Sequence, residues 1–105
     1  PSWIVKGVGG SSQHWAGASL RFQEHEWKAK SAYGNVMGAS LLDWPIGAKD
    51  MDPYYTRAED KLRVTRTGGR KGLPGNNNYK VFEAGAKKLG YKNVHTGRMA
   101  INSKD

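Results

Sequence analysis

Glycine recurs along this chain so often that it limits what the chain can fold into. Fourteen of the 105 residues are glycine, the mean hydropathy is −0.75, and the apolar runs between the glycines are short. Such a sequence forms long loops and one domain with a modest hydrophobic core. We therefore expect a core that depends on further polypeptide, as in part of a larger protein.

Charge and cysteine content narrow the function classes. Seventeen Lys and Arg stand against nine Asp and Glu, a formal net charge of +8, which is typical of a nucleic-acid surface, an anionic cofactor, an acidic partner or a solvated basic face. No cysteine is present, and His14, His25 and His95 show no short metal-ligand spacing. A metal site is therefore not expected, and no stretch predicts a membrane span.

The most distinctive stretch is a glycine pair followed by two serines, a histidine and a tryptophan. The candidate binding residues in it are Gly9, Gly10, Ser11, Ser12, His14, Trp15, Ala16 and Gly17. Adjacent glycines allow positive φ and close approach of another molecule, serines add hydrogen-bonding groups, and a histidine can titrate or act as a nucleophile. The alternative interpretation is a tight glycine turn with a buried, hydrogen-bonded histidine.

This loop does not match the dinucleotide-binding fingerprint. The apolar run Trp3, Ile4 and Val5 predicts a strand that leads into the loop. Ser12, however, stands where Gly-x-Gly-x-x-Gly requires its third glycine, and no clear helix follows. A phosphate-binding turn of that type is therefore excluded.

The clearest helix signal is Asp52 followed by Pro53, an N-cap residue and a first helical residue. The helix should run to about residue 64. Tyr55, Ala58 and Leu62 recur at three- and four-residue steps and mark its buried face.

A second helix is predicted to start near Asn78 and to stop at Gly90, with an apolar stripe that needs a partner. A glycine-rich linker with exposed basic residues, 65–78, precedes it. Short alternations at residues 91–95 and 97–101 predict strands. We therefore expect an α+β fold with two main helices, short strands and long loops. It is divided into a loop region at 1–48, a helix at 49–64, the linker at 65–78, and a helix with strands at 79–105.

Two tryptophans are predicted to be packing anchors. Trp27 lies in a short helical turn predicted between residues 23 and 30. Pro45 excludes Trp44 from the helical region and aims it inward. We expect Trp44 to fill the core, and direct contact with a substrate is the alternative.

Three clusters together resemble an internal section of the glucose-methanol-choline flavoprotein oxidoreductases. They are VGGSSQHWAG at residues 8–17, DWPI at residues 43–46 and DPYYTRAE at residues 52–59. The resemblance covers nearly the whole chain in order, and its nearest branch contains pyranose oxidases, sugar dehydrogenases and gluconate dehydrogenase large subunits. It implies a fragment of an FAD-binding α/β oxidoreductase, a single segment in which residues 1–48 contact the flavin.

The resemblance implies FAD chemistry, with hydride transferred from a sugar or polyol carbon to the flavin. The glycines and serines of residues 9–12 would line the flavin, His14 would lie by its dimethylbenzene edge, and residues 15–17 would complete the pocket. In the pyranose oxidase branch the histidine in this place is bonded covalently to the flavin, whereas other members of the branch bind FAD without that bond. The resemblance therefore implies FAD held either covalently through His14 or noncovalently.

The chain also departs from the family. His14 directly follows Gln13, which favours the sugar-oxidising branch over a choline or methanol substrate. The family's amino-terminal turn for the FAD diphosphate and its carboxy-terminal catalytic histidine have no counterpart in these residues. No catalytic residue is therefore assigned here, and the chain alone is expected to be inactive. The implied partners are the remainder of the flavoenzyme, a sugar or polyol, and a second copy or an electron-transfer subunit.

A small basic module that binds nucleic acid or an acidic partner is the alternative function. It would use Arg66, Arg70, Lys71, Lys87 and Lys88. Nucleic acid is not expected, because the tryptophans are not interleaved with these cations. A third interpretation is a subunit-interface segment whose basic stretch docks on an acidic neighbour.

Overall fold

The computed structural model describes residues 4–101, and helices supply their regular structure. The four α-helices are α1 (Glu24–Trp27), α2 (Ala29–Tyr33), α3 (Ala48–Lys61) and α4 (Asn77–Lys88), and a 3-10 helix (Gly10–His14) precedes them. Residues 4–101 contain no strand or sheet, only an antiparallel bridge between Ala18 and Met99. The expectation of an α+β fold with short strands is therefore wrong.

The predicted strands fail because they have no neighbours. Residues 91–95 and 97–101 form no ladder, although Met99 makes the single bridge to Ala18. Ile4 and Val5 are not in a strand, and Trp3 lies outside the described residues. Alternation predicts which face of a strand is buried, but a strand forms only where another strand pairs with its N–H and C=O groups.

Helix α3 starts five residues earlier than the Asp52–Pro53 signal predicts, at Ala48 instead of Pro53. The Gly47 N–H donates to Asp50 Oδ2 at 2.8 Å, and the Ala48 N–H donates to Glu24 Oε2 at 3.3 Å. These carboxylates satisfy N–H groups that a helix start leaves unpaired, and their charge suits that end of the helix dipole. The predicted N-cap was wrong because two other carboxylates supply the capping.

The interior face of α3 is built around a carboxylate. Tyr55 is half-buried, but Ala58 and Leu62 are exposed, so the predicted apolar face is wrong at those two positions. Glu59 is the buried residue of the helix, with 6% of its surface exposed. Pro53 lies inside α3, where it removes one backbone hydrogen bond without ending the helix.

Helix α4 forms where its sequence signals predict it. It begins at Asn77, one residue before the predicted start, and the Asn76 side chain accepts a hydrogen bond from the Tyr79 N–H at 2.9 Å. Gly90 follows the helix with φ 90°, which a residue with a side chain rarely adopts. The predicted helix and its glycine stop are confirmed.

The core of the described residues is small. Its buried hydrophobic residues are Trp27 and Val64, and Val64 is 1% exposed. Trp27 contacts Phe22 and Trp44, with ring centroids 5.5 Å and 6.0 Å away. The prediction that Trp27 anchors packing is confirmed. Trp44 is 56% exposed and covers Trp27 edge-on, so the expectation that it fills the core is wrong.

The molecule has an open architecture. Its radius of gyration is 17.4 Å, whereas a compact domain of this length has about 13 Å. Among the helices of the described residues, only α1 and α2 pack against each other extensively. In that same part of the chain, no helix combines the length and apolar character needed to cross a membrane.

Candidate functional site

The glycine, serine and histidine residues form a single 3-10 turn at the surface. Gly9 precedes the turn with φ 91° and Gly10 begins it with φ 55°, so both glycines use the positive φ that they tolerate. The Gly10 N–H donates to the Gly7 carbonyl at 3.0 Å, and the Trp15 N–H donates to the Ser12 carbonyl at 3.2 Å. Hydrogen bonds between backbone groups three residues apart therefore hold the turn.

The functional side chains of this turn are exposed together. Ser11, Ser12 and His14 are all exposed, and Ser11 Oγ accepts a hydrogen bond from the Val5 N–H at 3.4 Å. The His14 ring makes no hydrogen bond to any residue between 4 and 101. The alternative of a buried, hydrogen-bonded histidine is wrong. Two hydroxyls and an imidazole of one turn are thus accessible to solvent.

The end of the loop has a different role. Trp15 is exposed, and its Nε1–H donates to the Ala18 carbonyl at 3.1 Å. Gly17 is buried with φ 84°, and its carbonyl accepts hydrogen bonds from the Ala100 N–H at 2.6 Å and Ser19 Oγ at 3.0 Å. A Cβ on Gly17 would lie 3.3 Å from the Ala100 carbonyl oxygen. The structure therefore separates Gly17, which anchors the loop, from the exposed candidates.

The C-terminal segment, residues 96–101, holds this anchor in place. The Ser19 N–H donates to the Arg98 carbonyl at 3.0 Å, beside the bridge that joins residues 18 and 99. On its other side, Met99 exchanges two hydrogen bonds with Thr65: the Thr65 N–H donates to the Met99 carbonyl at 2.9 Å, and the Met99 N–H donates to Thr65 Oγ1 at 3.0 Å. The loop is thereby tied to the end of α3.

An ionic cluster joins the same parts of the molecule through side chains. Arg21 donates from Nε and Nη2 to the two oxygens of Glu59 at 2.7 and 2.6 Å, and it also pairs with Asp52. Arg98 Nη1 lies 3.3 Å from Glu59 Oε1, and the Arg21 guanidinium lies 5.4 Å from the Tyr55 ring centre. The hydrogen bond from Arg21 is the main cause that lowers the pKa of Glu59 below its ordinary value.

Sequence reasoning missed this cluster. The available signal was the spacing of Asp52, Tyr55 and Glu59, which places two carboxylates and an aromatic ring on one face of α3. The apolar period through Ala58 and Leu62 instead predicts an aliphatic face. Only the fold shows that Arg21, 38 residues away from Glu59 in the chain, meets that face.

The exposed turn leaves its glycine backbone open at one position. A Cβ on Gly10 would meet no atom within 4 Å, so the backbone there is open to a flat molecule. The neighbouring hydroxyls and imidazole supply hydrogen-bonding groups of the kind that hold a polar ring. The described residues offer no glycine-rich strand-to-helix turn for a diphosphate, and they contain no group of three or more metal-binding side chains. The turn thus has room for a flat ring beside Gly10, but the described residues do not form an enclosure for a whole dinucleotide.

Three of the five cations required by the alternative basic module have intramolecular contacts. Arg66 Nη1 donates to the Thr96 carbonyl at 3.1 Å, and Arg70 pairs with Asp60. Lys87 pairs with Glu83 at 2.7 Å, one helical turn away. Arg66 and Arg70 are half-buried, so the expectation that the basic residues of the linker are exposed is wrong for both. These contacts do not favour the basic module.

No protein-family model matches the sequence. Over 71 residues, the chain is 35% identical to the fructose dehydrogenase large subunit of Gluconobacter japonicus. The aligned region takes in 68% of this chain and 12% of that protein, so the chain spans a small part of the length of the curated relative that it matches. The chain is similar to part of a dehydrogenase subunit and is thereby related to an oxidoreductase.

Proposed function

We propose that this chain is the part of a flavin-dependent sugar or polyol dehydrogenase that supplies one wall of the flavin site. The similarity to part of the fructose dehydrogenase large subunit carries the proposal. The exposed 3-10 turn, with its open backbone at Gly10 and its exposed polar side chains, supports the position of that wall. FAD, when bound, would supply the hydride acceptor for oxidation of a hydroxyl-bearing carbon.

In this proposal each residue of the turn has its own role in binding the flavin. Gly9 and Gly10 let the backbone approach the flavin ring, and the hydroxyls of Ser11 and Ser12 hydrogen-bond to it. His14, exposed on the same turn, is the residue that we propose to be bonded covalently to the flavin. The group that takes the proton from the substrate hydroxyl is contributed from outside these residues.

The relative also bears on partners. Because it is named a large subunit, we propose that the complete enzyme assembles with at least one further subunit. The substrate class, a sugar or polyol, likewise follows from the name of that relative and from the motif of residues 8–17. A spectrum of the purified full protein that contains this chain, reduced by fructose and by other sugars, tests the substrate class directly.

Two glycine variants test the flavin wall. Both Gly10 and Gly38 have positive φ, 55° and 80°, and both have open space where a Cβ would stand. Only Gly10→Ala should crowd a flavin, at a cost of roughly 1–3 kcal/mol, which corresponds to an affinity about 5- to 150-fold weaker. The measurement is flavin titration of the full protein by fluorescence. Equal affinities in Gly10→Ala and Gly38→Ala would place the flavin elsewhere.

The same full protein tests the bond through His14. After acid precipitation, we expect the yellow colour to stay with the unmodified protein and to be released from His14→Ala. Release of all the colour from the unmodified protein would overturn the covalent bond. It would not bear on noncovalent binding of the flavin by the turn, which the glycine variants test.

A further inference from the structure

The end of the candidate flavin loop, residues 17–21, runs beside the C-terminal segment, residues 96–101. Their backbones are joined by the bridge between Ala18 and Met99 and by one hydrogen bond on each side of it. Two short segments with so few backbone hydrogen bonds do not hold a fixed position by themselves. Their position therefore depends on the side chains that attach them to the rest of the fold.

The side chain of Glu59, on α3, bonds to both of these segments. Arg21, in the loop end, donates to the two Glu59 oxygens at 2.7 and 2.6 Å, and Arg98 Nη1, in the C-terminal segment, donates to Oε1 at 3.3 Å. Thr65, in contrast, bonds to the C-terminal segment alone. Among residues 4–101, Glu59 is the residue outside the two segments whose side chain forms hydrogen bonds with both.

Burial strengthens the ion pairs of Glu59. Its side chain is 8% exposed, and the Arg21 side chain is 25% exposed. Charges withdrawn from water attract each other more strongly than exposed charges, which water and salt screen. The ion pair between Glu83 and Lys87 is a contrasting case, because both residues lie on α4 and the Lys87 side chain is 60% exposed. The Glu59 contacts can therefore hold separate segments together, whereas the Glu83 contact lies within one helix.

Hydrogen bonds continue from the loop end into the 3-10 turn. The Trp15 Nε1–H donates to the Ala18 carbonyl at 3.1 Å, and the Trp15 N–H donates to the Ser12 carbonyl at 3.2 Å. Trp15 directly follows His14, the last residue of the turn. A displacement of Ala18 would therefore be transmitted through Trp15 to the groups that the turn exposes.

We propose that Glu59 is a positioning residue for the 3-10 turn. By binding Arg21 and Arg98 it fixes the two segments against α3, and Trp15 links those segments to the turn. The inference rests on the proposed function only where it concerns the flavin, since a correctly placed turn would present Gly10 and the neighbouring hydroxyls to the ring. Loss of the Glu59 charge should therefore weaken flavin binding without removing any group that binds the flavin.

Hydrogen exchange measured by mass spectrometry tests the connection without reference to the flavin. In the full protein that contains this chain, Glu59→Gln removes one charge, and Glu83→Gln makes the same change in the α4 ion pair. Because Glu59→Gln should also lower the overall stability, exchange in residues 10–19 is compared with exchange in residues 77–88. We expect exchange in residues 10–19 of Glu59→Gln to become about threefold faster relative to residues 77–88. Glu83→Gln should leave residues 10–19 unchanged, and an unchanged ratio in Glu59→Gln would overturn the inference.

A double-mutant cycle extends the test to the flavin. Trp15→Phe keeps an aromatic ring but removes the Nε1–H that reaches Ala18. By fluorescence titration, Glu59→Gln should weaken the flavin affinity of the full protein about three- to tenfold, and should have little further effect when Trp15→Phe is already present. A merely structural loss would have the same effect with either residue at position 15.

The two measurements separate this inference from the proposed function. Faster exchange in the turn of a protein that binds no flavin would support the connection and overturn the flavin wall. Equal flavin affinities in Glu59→Gln and the unmodified protein would overturn the role of Glu59 while leaving the flavin wall in place. Effects of Glu59→Gln and Trp15→Phe that simply add would do the same.

Discussion

Glu59 keeps its charge in the interior because guanidinium groups approach it from two directions. Arg21 binds both of its oxygens, and Arg98 approaches one of them from the C-terminal segment. A buried carboxylate without such partners would be protonated or would destabilise the fold. The half-buried face of α3 is thus specified by charge pairing, where most helices of this length use aliphatic contacts.

Replacing Glu59 tests this role. Glu59→Gln keeps the shape but removes the charge, and should lower the free energy of unfolding by about 1.5–3 kcal/mol near neutral pH. Asp60→Asn, at the next position, removes an exposed carboxylate that pairs with Arg70 and should cost at most about 1 kcal/mol. Urea denaturation of both variants measures the difference, and equal losses would contradict a special role for Glu59.

A comparison of the unmodified protein with Glu59→Gln also gives the direction in which stability should change with pH. The pKa of Glu59 is lowered in the folded state, so the stabilisation is complete above its ordinary value of 4.5 and is lost as the pH falls through the lowered pKa. The unmodified protein should therefore lose more stability between about pH 5 and 3 than Glu59→Gln does. Parallel curves would show that Glu59 does not titrate with folding.

The starts of α3 and α4 show that both local and distant contacts determine where a helix begins. At α4 the side chain of Asn76 satisfies the Tyr79 N–H, and both residues lie within one turn. At α3 the N–H of Ala48 is satisfied by Glu24, which is 24 residues earlier. The first contact is visible in a sequence window, and the second exists only after the chain has folded.

The cap of α4 can be tested with a neighbouring asparagine as the control. Asn76→Ala removes the cap and should cost about 1 kcal/mol of stability. Asn78→Ala lies in the first turn of the same helix, where alanine has the higher helix propensity, and should be neutral or slightly stabilising. Denaturation midpoints that shift in the same direction for both variants would contradict the assigned cap.

Sequence reasoning succeeded where a single segment contained the cause. Asn76, Gly90 and the Gly9 turn have their determinants within a few residues, and the structure has the helix, its stop and the positive φ at those places. Trp44 and the strand at residues 91–95 failed because their environment depends on partners distant in sequence. In the candidate site, grouping of the exposed side chains on one turn was predictable, whereas the anchoring of Gly17 by Ala100 was not.

At the scale of the whole molecule, the described residues are held together by a few polar contacts more than by a large core. Thr65 is 1% exposed and exchanges two hydrogen bonds with Met99. This pair connects the end of α3 to the C-terminal segment, which in turn holds the end of the candidate flavin loop. Loss of these two hydrogen bonds should therefore destabilise the loop as well as the end of α3.

A threonine variant tests that connection. Thr65→Val keeps the shape but leaves the Met99 N–H without its acceptor, and should cost about 1–3 kcal/mol. Thr65→Ser retains the hydroxyl and should recover most of the backbone protection. Hydrogen exchange measures both effects, with faster exchange expected at the amides of Met99 and Ala100 in Thr65→Val only. Unchanged exchange in that variant would contradict the connection.

The bridge between Ala18 and Met99 has a topological consequence. The polypeptide leaves that point, passes through all four α-helices and returns to it, so residues 18–99 form a closed excursion. A segment that departs and returns at adjacent positions can lengthen, shorten or be exchanged while the surrounding protein keeps its path. Changes of length within residues 18–99 can therefore be absorbed without moving the 3-10 turn at Gly10–His14.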